Sequence, residues 1–499
     1  MNHIKIDLER TLSDIDHHIF GGYLEHGGRV IYSSLYAPDS PLADKDGLRS
    51  DVRAALQRLN FSNIRYPGGN FASGYRWMDG IGPRQKRPSR HDLAWNAIDS
   101  NQFGTNEFIR FCRKLNIEPY LCVNCGDGDM REAADWVEYC NGTGDTALVK
   151  LRREHGFEEP HKVKYWGIGN EVDSPIQIGY KTPQEYARAV TEFGKVMKRV
   201  DPDIKLIASA VMNWEDAPVV FSWPVPIRYL KNEWVERGQL MLEQAGDLID
   251  YMALHRYAYN QRPEPETFEA KMTFSETIEE LLSAYEGLIR AVRLDNGIKH
   301  RIYIAFDEWG VRRRAINNLE DALVIAMFLN AFIRHSYSVR LANFTPTMRS
   351  IAPMEIRTGL PDELVPQTIF YPFELYSRTC GQIALDVFWS GETFENGEYT
   401  GIRMLDVTAT LEESRKQLVV YVVNRSRTEA METTISLTDG QFTGSVQVSI
   451  VNGPGVEAEN TFEKPNQVGT RETTLEASGK SLTYSFEPHS VTALVCAIC

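Results

Sequence analysis

The chain has 499 residues, 42% of them hydrophobic and 24% charged, with a formal net charge of −14. That length suits one large domain with a smaller companion, and the composition is that of a folded protein rather than a disordered one. The acidic balance and the lack of a basic stripe weigh against nucleic acid as a partner, and no apolar run is long enough to cross a bilayer, which weighs against a membrane partner.

The opening segment, MNHIKIDLERTLSDID, is charged and has no apolar centre, so it does not read as a signal peptide. A cytoplasmic protein is the expectation. HIKIDL within it alternates like a strand, and residues 1–15 are assigned to the C-terminal sheet because chain ends often meet.

Strand-like segments then recur along the chain, most of them followed by helical patterns. They are His18–His26, Phe61–Gly69, Glu118–Cys125, Tyr165–Val172, Ile204–Ala210, Asp250–Tyr257, Ile302–Trp309 and Val339–Thr345. Between them SDVRAALQRL, TNEFIRFCRKL, TPQEYARAVTEFGKVMKRV, SETIEELLSAYEGLIRAV and LEDALVIAMFLNAFIRH carry apolar residues at helical spacing, several with Ser or Thr at the start. Eight strand–helix units predict an α/β fold, a (β/α)8 TIM barrel over residues 16–377. A doubly wound sheet is the alternative, but GGYLEHGG after the first strand is not a phosphate-binding fingerprint. From residue 378 to 499 short β-rich segments separated by turn residues predict an antiparallel, jelly-roll-like β-sandwich.

Seven cysteines are present. Cys122 and Cys125 share a strand-like segment, where residues three apart face opposite ways, so the CxxC spacing suits neither a shared metal nor a disulfide. Cys496 and Cys499 have no Cys/His cluster near them in sequence. His17 and His18 are adjacent and, on a strand, would point apart. No metal site is expected.

Barrel chemistry sits at the C-terminal ends of the strands. Those ends carry Glu25 and His26, Arg65 and Asn70, Asn170 and Glu171, His255 and Tyr257, and Asp307 and Glu308. Carboxylates do acid–base and nucleophilic work, while amides and tyrosines bind hydroxyls, so this rim suggests a sugar site. Glu171 and Glu308, on the fourth and seventh strands, would face each other across the mouth. A retaining glycosidase needs two carboxyls roughly 5–5.5 Å apart, one protonated and one ionised. From chemistry alone either glutamate fits either role. Asp307, preceding Glu308, should point away from it towards a basic neighbour.

The ordered motifs FGGYLEHGGRVIY, RYPGGNFASGYRW, AWNAIDSNQFGTNEF, WVEYCNG, YWGIGNEV and QTIFYPF resemble the α-L-arabinofuranosidases of glycoside hydrolase family 51, over residues 18–376. The resemblance implies Glu171 as acid/base and Glu308 as nucleophile. It also implies an arabinofuranose pocket lined by Glu25, Asn70, Asn170, His255, Tyr257 and Gln367, with Trp95 beside the entrance. It further implies retaining, exo-acting release of arabinose from arabino-oligosaccharides, no cofactor, and a homo-oligomer such as a hexamer. A related retaining glycosidase acting on a β-D-galactofuranoside, β-D-xyloside or β-glucan is the alternative; a sugar-binding protein with a dead site fits poorly with both glutamates present. The chain departs from the family pattern at Arg256, Arg312, Pro346 and Arg349. Arginines at the rim would bear on leaving-group preference, or else form salt bridges with the acidic surface.

Overall fold

The computed structural model describes all residues except 1, 28–29, 176, 212–219, 222–226, 229–232, 259–266, 312–315, 346–352, 358–362 and 398. Eight strands pair in parallel, in an order that follows the chain from Gly22–Tyr23 to Val339–Phe344. The sheet closes on itself where Gly21 bridges Asn343 and the Phe344 amide donates to the Gly21 carbonyl at 2.9 Å. This is the expected (β/α)8 barrel. Its lumen is filled by side chains, not open: Tyr120, Tyr165, Ile207, Tyr251, Ala253, Ala305 and Leu341 pack there, with Tyr303 against them.

The first barrel strand is far shorter than the expected His18–His26. Only Gly22–Tyr23 ladder with the second strand. Upstream, His17–Ile19 form a 3₁₀ turn, because the Asp16 carboxylate accepts from the His18 amide at 3.0 Å and caps it. His17 and His18 therefore occupy a turn, not a strand. Of the expected Ser/Thr helix caps, Ser50 and Thr105 are instead the first helical residues, after Arg49 and Gly104, and Ser275 lies within its helix; Thr182 does cap. Pro183–Val200 begins with a capping box, Thr182 with Glu185, and has Pro183 at its first position.

Nine strands form the second sheet, and the N-terminal strand Asn2–Asp14 sits within it. That strand runs antiparallel to Ile383–Ser390 and parallel to Met431–Leu437, so the sandwich is mostly rather than wholly antiparallel. The strand Gln417–Asn424 explains its own apolar run, LVVYVV. Leu418, Val420 and Val422 face the sandwich core, whereas Val419, Tyr421 and Val423 face the barrel. The barrel element they meet is the helix Leu319–Arg334, buried at every position to Ile333. A helix apolar all round is one covered on all sides.

Arg334 ends that helix and ties three elements. It donates to Glu279 at 2.6 Å on the preceding helix and to Asp406 at 2.9 Å on a sandwich strand. Asp406 is nearly fully buried, so its charge depends on this partner and on Asn330, which donates at 3.1 Å. Arg334→Met should lower unfolding free energy by about 3 kcal/mol, the cost of a buried carboxylate left without its cation. Urea denaturation measures it, and adding Asp406→Leu should recover most of the loss; a single variant as stable as the parent would show the pair to be dispensable.

Candidate active site

The side chains expected at the site are delivered by strand ends and the short loops after them. After the second strand the turn Pro67–Gly68–Gly69 runs against the site. Gly68 has φ +120, and a Cβ there would fall 2.3 Å from the Cβ of Glu25. At Gly69 a Cβ would meet the Tyr23 hydroxyl at 2.6 Å and Glu308 Oε1 at 2.9 Å. Only glycine allows the backbone this close.

Arg65, on the second strand, is the hub. Its Nη1 donates to Glu308 Oε1 at 2.7 Å, its Nη2 to Asn170 Oδ1 at 2.7 Å, and its Nε lies 3.2 Å from Asp307 Oδ2. Burial opposes its charge, yet Asp307 and Glu308 hold its pKa well above the ordinary value. Asp307 in turn sits below its ordinary value although burial pushes it up, because Arg65 is beside it and His255 and Tyr120 bond to it.

Asp307 thus has the basic neighbour expected of it, but it does not point away from Glu308. Strict alternation fails here because the seventh strand bulges. Ala305 pairs with Ala253 and Glu308 with His255, so three steps of one strand match two of the other. The same extra residue appears between Phe306 and Trp309 against the eighth strand. Phe306 and Trp309 both face the helices, which leaves Asp307 and Glu308 together on the inner side.

Glu171 follows the fourth strand with φ +41, a left-handed conformation unusual outside glycine. That twist, with Gly169 also at positive φ, ends the strand and turns the carboxyl towards the mouth. One oxygen of Glu171, one of Glu308 and a ring nitrogen of His255 lie within 4.8 Å of one another. His255 Nδ1 contacts Glu171 Oε1 at 3.0 Å, and its Nε2 lies 3.2 Å from Asp307 Oδ1. Burial lowers the imidazole's pKa, but Glu308, Asp307 and Glu171 outweigh it and push it up to about 10. A divalent ion would need a nitrogen lone pair, and a protonated ring with a carboxylate at each nitrogen offers none. The trio suits acid–base chemistry better than metal binding.

The other predicted residues divide. Tyr257 donates to Glu308 Oε2 at 2.9 Å. Asn170 Nδ2 donates to Asn70 Oδ1 at 3.4 Å. Glu25 accepts from the Gly69 and Phe71 amides at 3.1 and 3.0 Å, from Trp95 Nε1 at 3.3 Å and from the Tyr23 hydroxyl at 3.0 Å. Burial raises Glu25 to about 7, with the nearby Glu308 charge adding to it. Trp95 reaches Glu25 from the tip of a hairpin between Arg90–Asp92 and Ala97–Asp99. His26 instead braces that hairpin, 2.8 Å from Asp99 and stacked on Phe71. Gln367 is buried, and its side chain bonds to the Asn317 amide at 3.4 Å and to Glu355 at 3.3 Å, not to the glutamate pair. Tyr23 and Gln177 contact the site and were not expected from the sequence; Tyr23 follows Gly22 in a strand of two residues, and Gln177 lies in an aperiodic loop. Arg256 is turned outwards, its guanidinium 5.5 Å above the Phe274 ring. Arg312, Pro346 and Arg349 lie outside the described residues. All seven cysteines are free thiols.

Known proteins resemble this chain in sequence and in fold. Residues 55–271 match the family model described as α-L-arabinofuranosidase 1 domain, and residues 307–490 match the α-L-arabinofuranosidase C-terminal domain. The probable α-L-arabinofuranosidase C of Aspergillus clavatus is 37% identical, over 98% of this chain and 96% of its own. The intracellular exo-α-(1→5)-L-arabinofuranosidase 1 of Bacillus subtilis is 32% identical, over 97% of both chains. The structure of an α-L-arabinofuranosidase from Thermotoga maritima in complex with arabinose is similar at TM-score 0.87, with 32% identity and 99% of both chains covered. A family 51 α-L-arabinofuranosidase from Bifidobacterium longum gives TM-score 0.89 at 26% identity, again over 99% of both.

The charge coupling in the site has a pH signature. The folded pKa of His255 lies above its ordinary 6.5, so its stabilising ion pairs are fully present below about pH 6.5 and are lost as pH rises through about 10. Glu308→Gln removes the leading charge that raises His255, and the charge that adds to the rise at Glu25. Both titrations should move to lower pH in that variant, read by NMR of the ring and carboxyl carbons. Unchanged midpoints would mean that Glu308 does not set them.

Proposed function

The chain belongs to the family 51 α-L-arabinofuranosidases, a family of glycoside hydrolases, and we propose that it releases terminal arabinofuranose from arabino-oligosaccharides by a retaining double displacement. The single observation that carries the reaction type is the approach of Glu171 and Glu308 to within 4.8 Å. That spacing leaves no room for a water between the carboxyl and the sugar, and it favours retention over inversion.

In this reading Glu308 attacks the anomeric carbon while Glu171 gives a proton to the departing oxygen. A glycosyl–Glu308 ester forms, and the aglycone leaves with the proton. Glu171, now ionised, takes a proton from water as that water attacks the same carbon from the opposite face, which frees the ester. Two inversions give net retention. Arg65 and Tyr257 fix the plane of the attacking carboxylate with one bond to each oxygen. Asn170, oriented by Arg65, would bind the sugar hydroxyl beside the reacting carbon, a contact that strengthens in the transition state. Glu25, Asn70, His255, Tyr257 and Trp95 would complete the sugar pocket, and Gln367 would act from behind it, since its contacts are with Asn317 and Glu355. No step requires a cofactor.

Terminal attack is supported by the Bacillus subtilis relative, which is named an exo-enzyme. The same relative is named intracellular, and among the described residues no helix is long and apolar enough to cross a membrane. The name of that relative fits a cytoplasmic enzyme that trims imported oligosaccharides. Homo-oligomeric assembly belongs to the proposal through the family resemblance alone; light scattering that gave a monomer mass would remove it.

Nitrophenyl α-L-arabinofuranoside should be hydrolysed in preference to the β-D-galactofuranoside, β-D-xyloside and β-D-glucoside. Glu308→Ala should cost on the order of 10⁴-fold in kcat. Glu171→Ala should spare nitrophenolate departure but slow an alkyl leaving group by about 10² or more. In dilute methanol the first product should be the α-methyl furanoside, visible by NMR. A β product would exclude double displacement, and turnover of a different glycoside alone would reassign the substrate.

A further inference from the structure

Gln177 lies in the loop after the fourth barrel strand, 7% exposed, and both polar atoms of its side chain are hydrogen-bonded. Its Oε1 accepts from the Ser73 hydroxyl at 3.2 Å. Its Nε2 donates to Glu171 Oε2 at 3.2 Å and also to Asn70 Oδ1. The amide directions follow from one fact: a guanidinium can only donate. Arg65 therefore fixes Asn170 with Oδ1 towards itself. Asn170 must then show Nδ2 to Asn70, which turns Asn70 Oδ1 inwards. An inward oxygen accepts a second donor, and Gln177 Nε2 supplies it. The other hydrogen of that amide is left for Glu171.

We propose that Gln177 is a positioning residue, which holds Glu171 for proton transfer. The inference rests on the functional reading above, in which Glu171 is the acid/base. His255 grips the other oxygen of Glu171, so the carboxyl is clamped from two sides, once by a charged group and once by a neutral one.

The test uses Gln177→Met, which keeps shape and removes the donor, and Gln177→Glu, which keeps size and replaces the donor by an acceptor. Wild-type enzyme is first measured with nitrophenyl and methyl α-L-arabinofuranosides. Both variants should keep kcat/KM for the nitrophenyl substrate within about threefold, because that leaving group needs little acid help. With the methyl substrate kcat/KM should fall by about tenfold or more. On the nitrophenyl substrate kcat and KM should fall together, since the second step lacks its base and the ester accumulates, and azide should restore kcat. A merely structural role would lower both substrates alike and leave azide without effect. That result, or no loss at all, in whichever variant folds would overturn the proposal; failure of both to fold would show that Gln177 serves the fold first, and would overturn it too. A wild-type enzyme inert towards arabinofuranosides would instead sink the functional reading.

Discussion

The site depends on a buried guanidinium. Arg65 is almost wholly removed from water, which is costly unless its charge is paired. Acceptors from two other strands meet it: Asn170 after the fourth, Asp307 and Glu308 on the seventh. A planar fork holds these acceptors at fixed angles, as an ammonium could not. The arrangement also sets a charge balance. Among the described residues, Glu25, Glu171, Asp307 and Glu308 gather around two cations, Arg65 and His255. Glu25 is raised to about 7, first by burial and then by the nearby Glu308 charge. A site that must keep one carboxyl protonated beside another that is ionised is built in this way.

Much of this was legible in the residue order. Eight apolar segments with helical patterns after most of them predict the barrel, and the barrel rule alone directs attention to Glu171 and Glu308. What period-two alternation could not show was Asp307. Its side chain joins Glu308 because an extra residue is accommodated in the strand, and alternation carries no mark of a bulge. A trace of it was present all the same: Phe306 and Trp309, three apart, are both apolar and both packed among the helices. Two outward residues at that spacing force the pair between them inwards.

Loops were harder to read, for a physical reason. Gln177 has no periodic neighbours, and its place is set by Glu171 at φ +41 and by successive turns, with the Ser174 amide on the Glu171 carbonyl and the Gln177 amide on that of Ser174. Nothing in SPIQIG announces this. The first barrel strand failed in the opposite direction. HIFGGYLEH looks continuous, but a polar cap at Asp16 favours a local turn over the ladder.

The sandwich bears on the chemistry although it supplies none of the predicted catalytic or pocket residues. Its strand Gln417–Asn424 packs Val419, Tyr421 and Val423 towards the barrel, against the helix Leu319–Arg334. On the other side of that helix Phe328 and Phe332 hold the Trp309 ring, at 5.1 Å between centroids in each case. Trp309 is the residue after Glu308. Close-packed interiors transmit displacement because they have no slack. The bulge that turns Glu308 inwards is therefore backed by an aromatic layer, a helix and a sheet in series. An unbacked bulge would be free to relax into regular pairing, and that slip would carry Glu308 to the helix side of the strand.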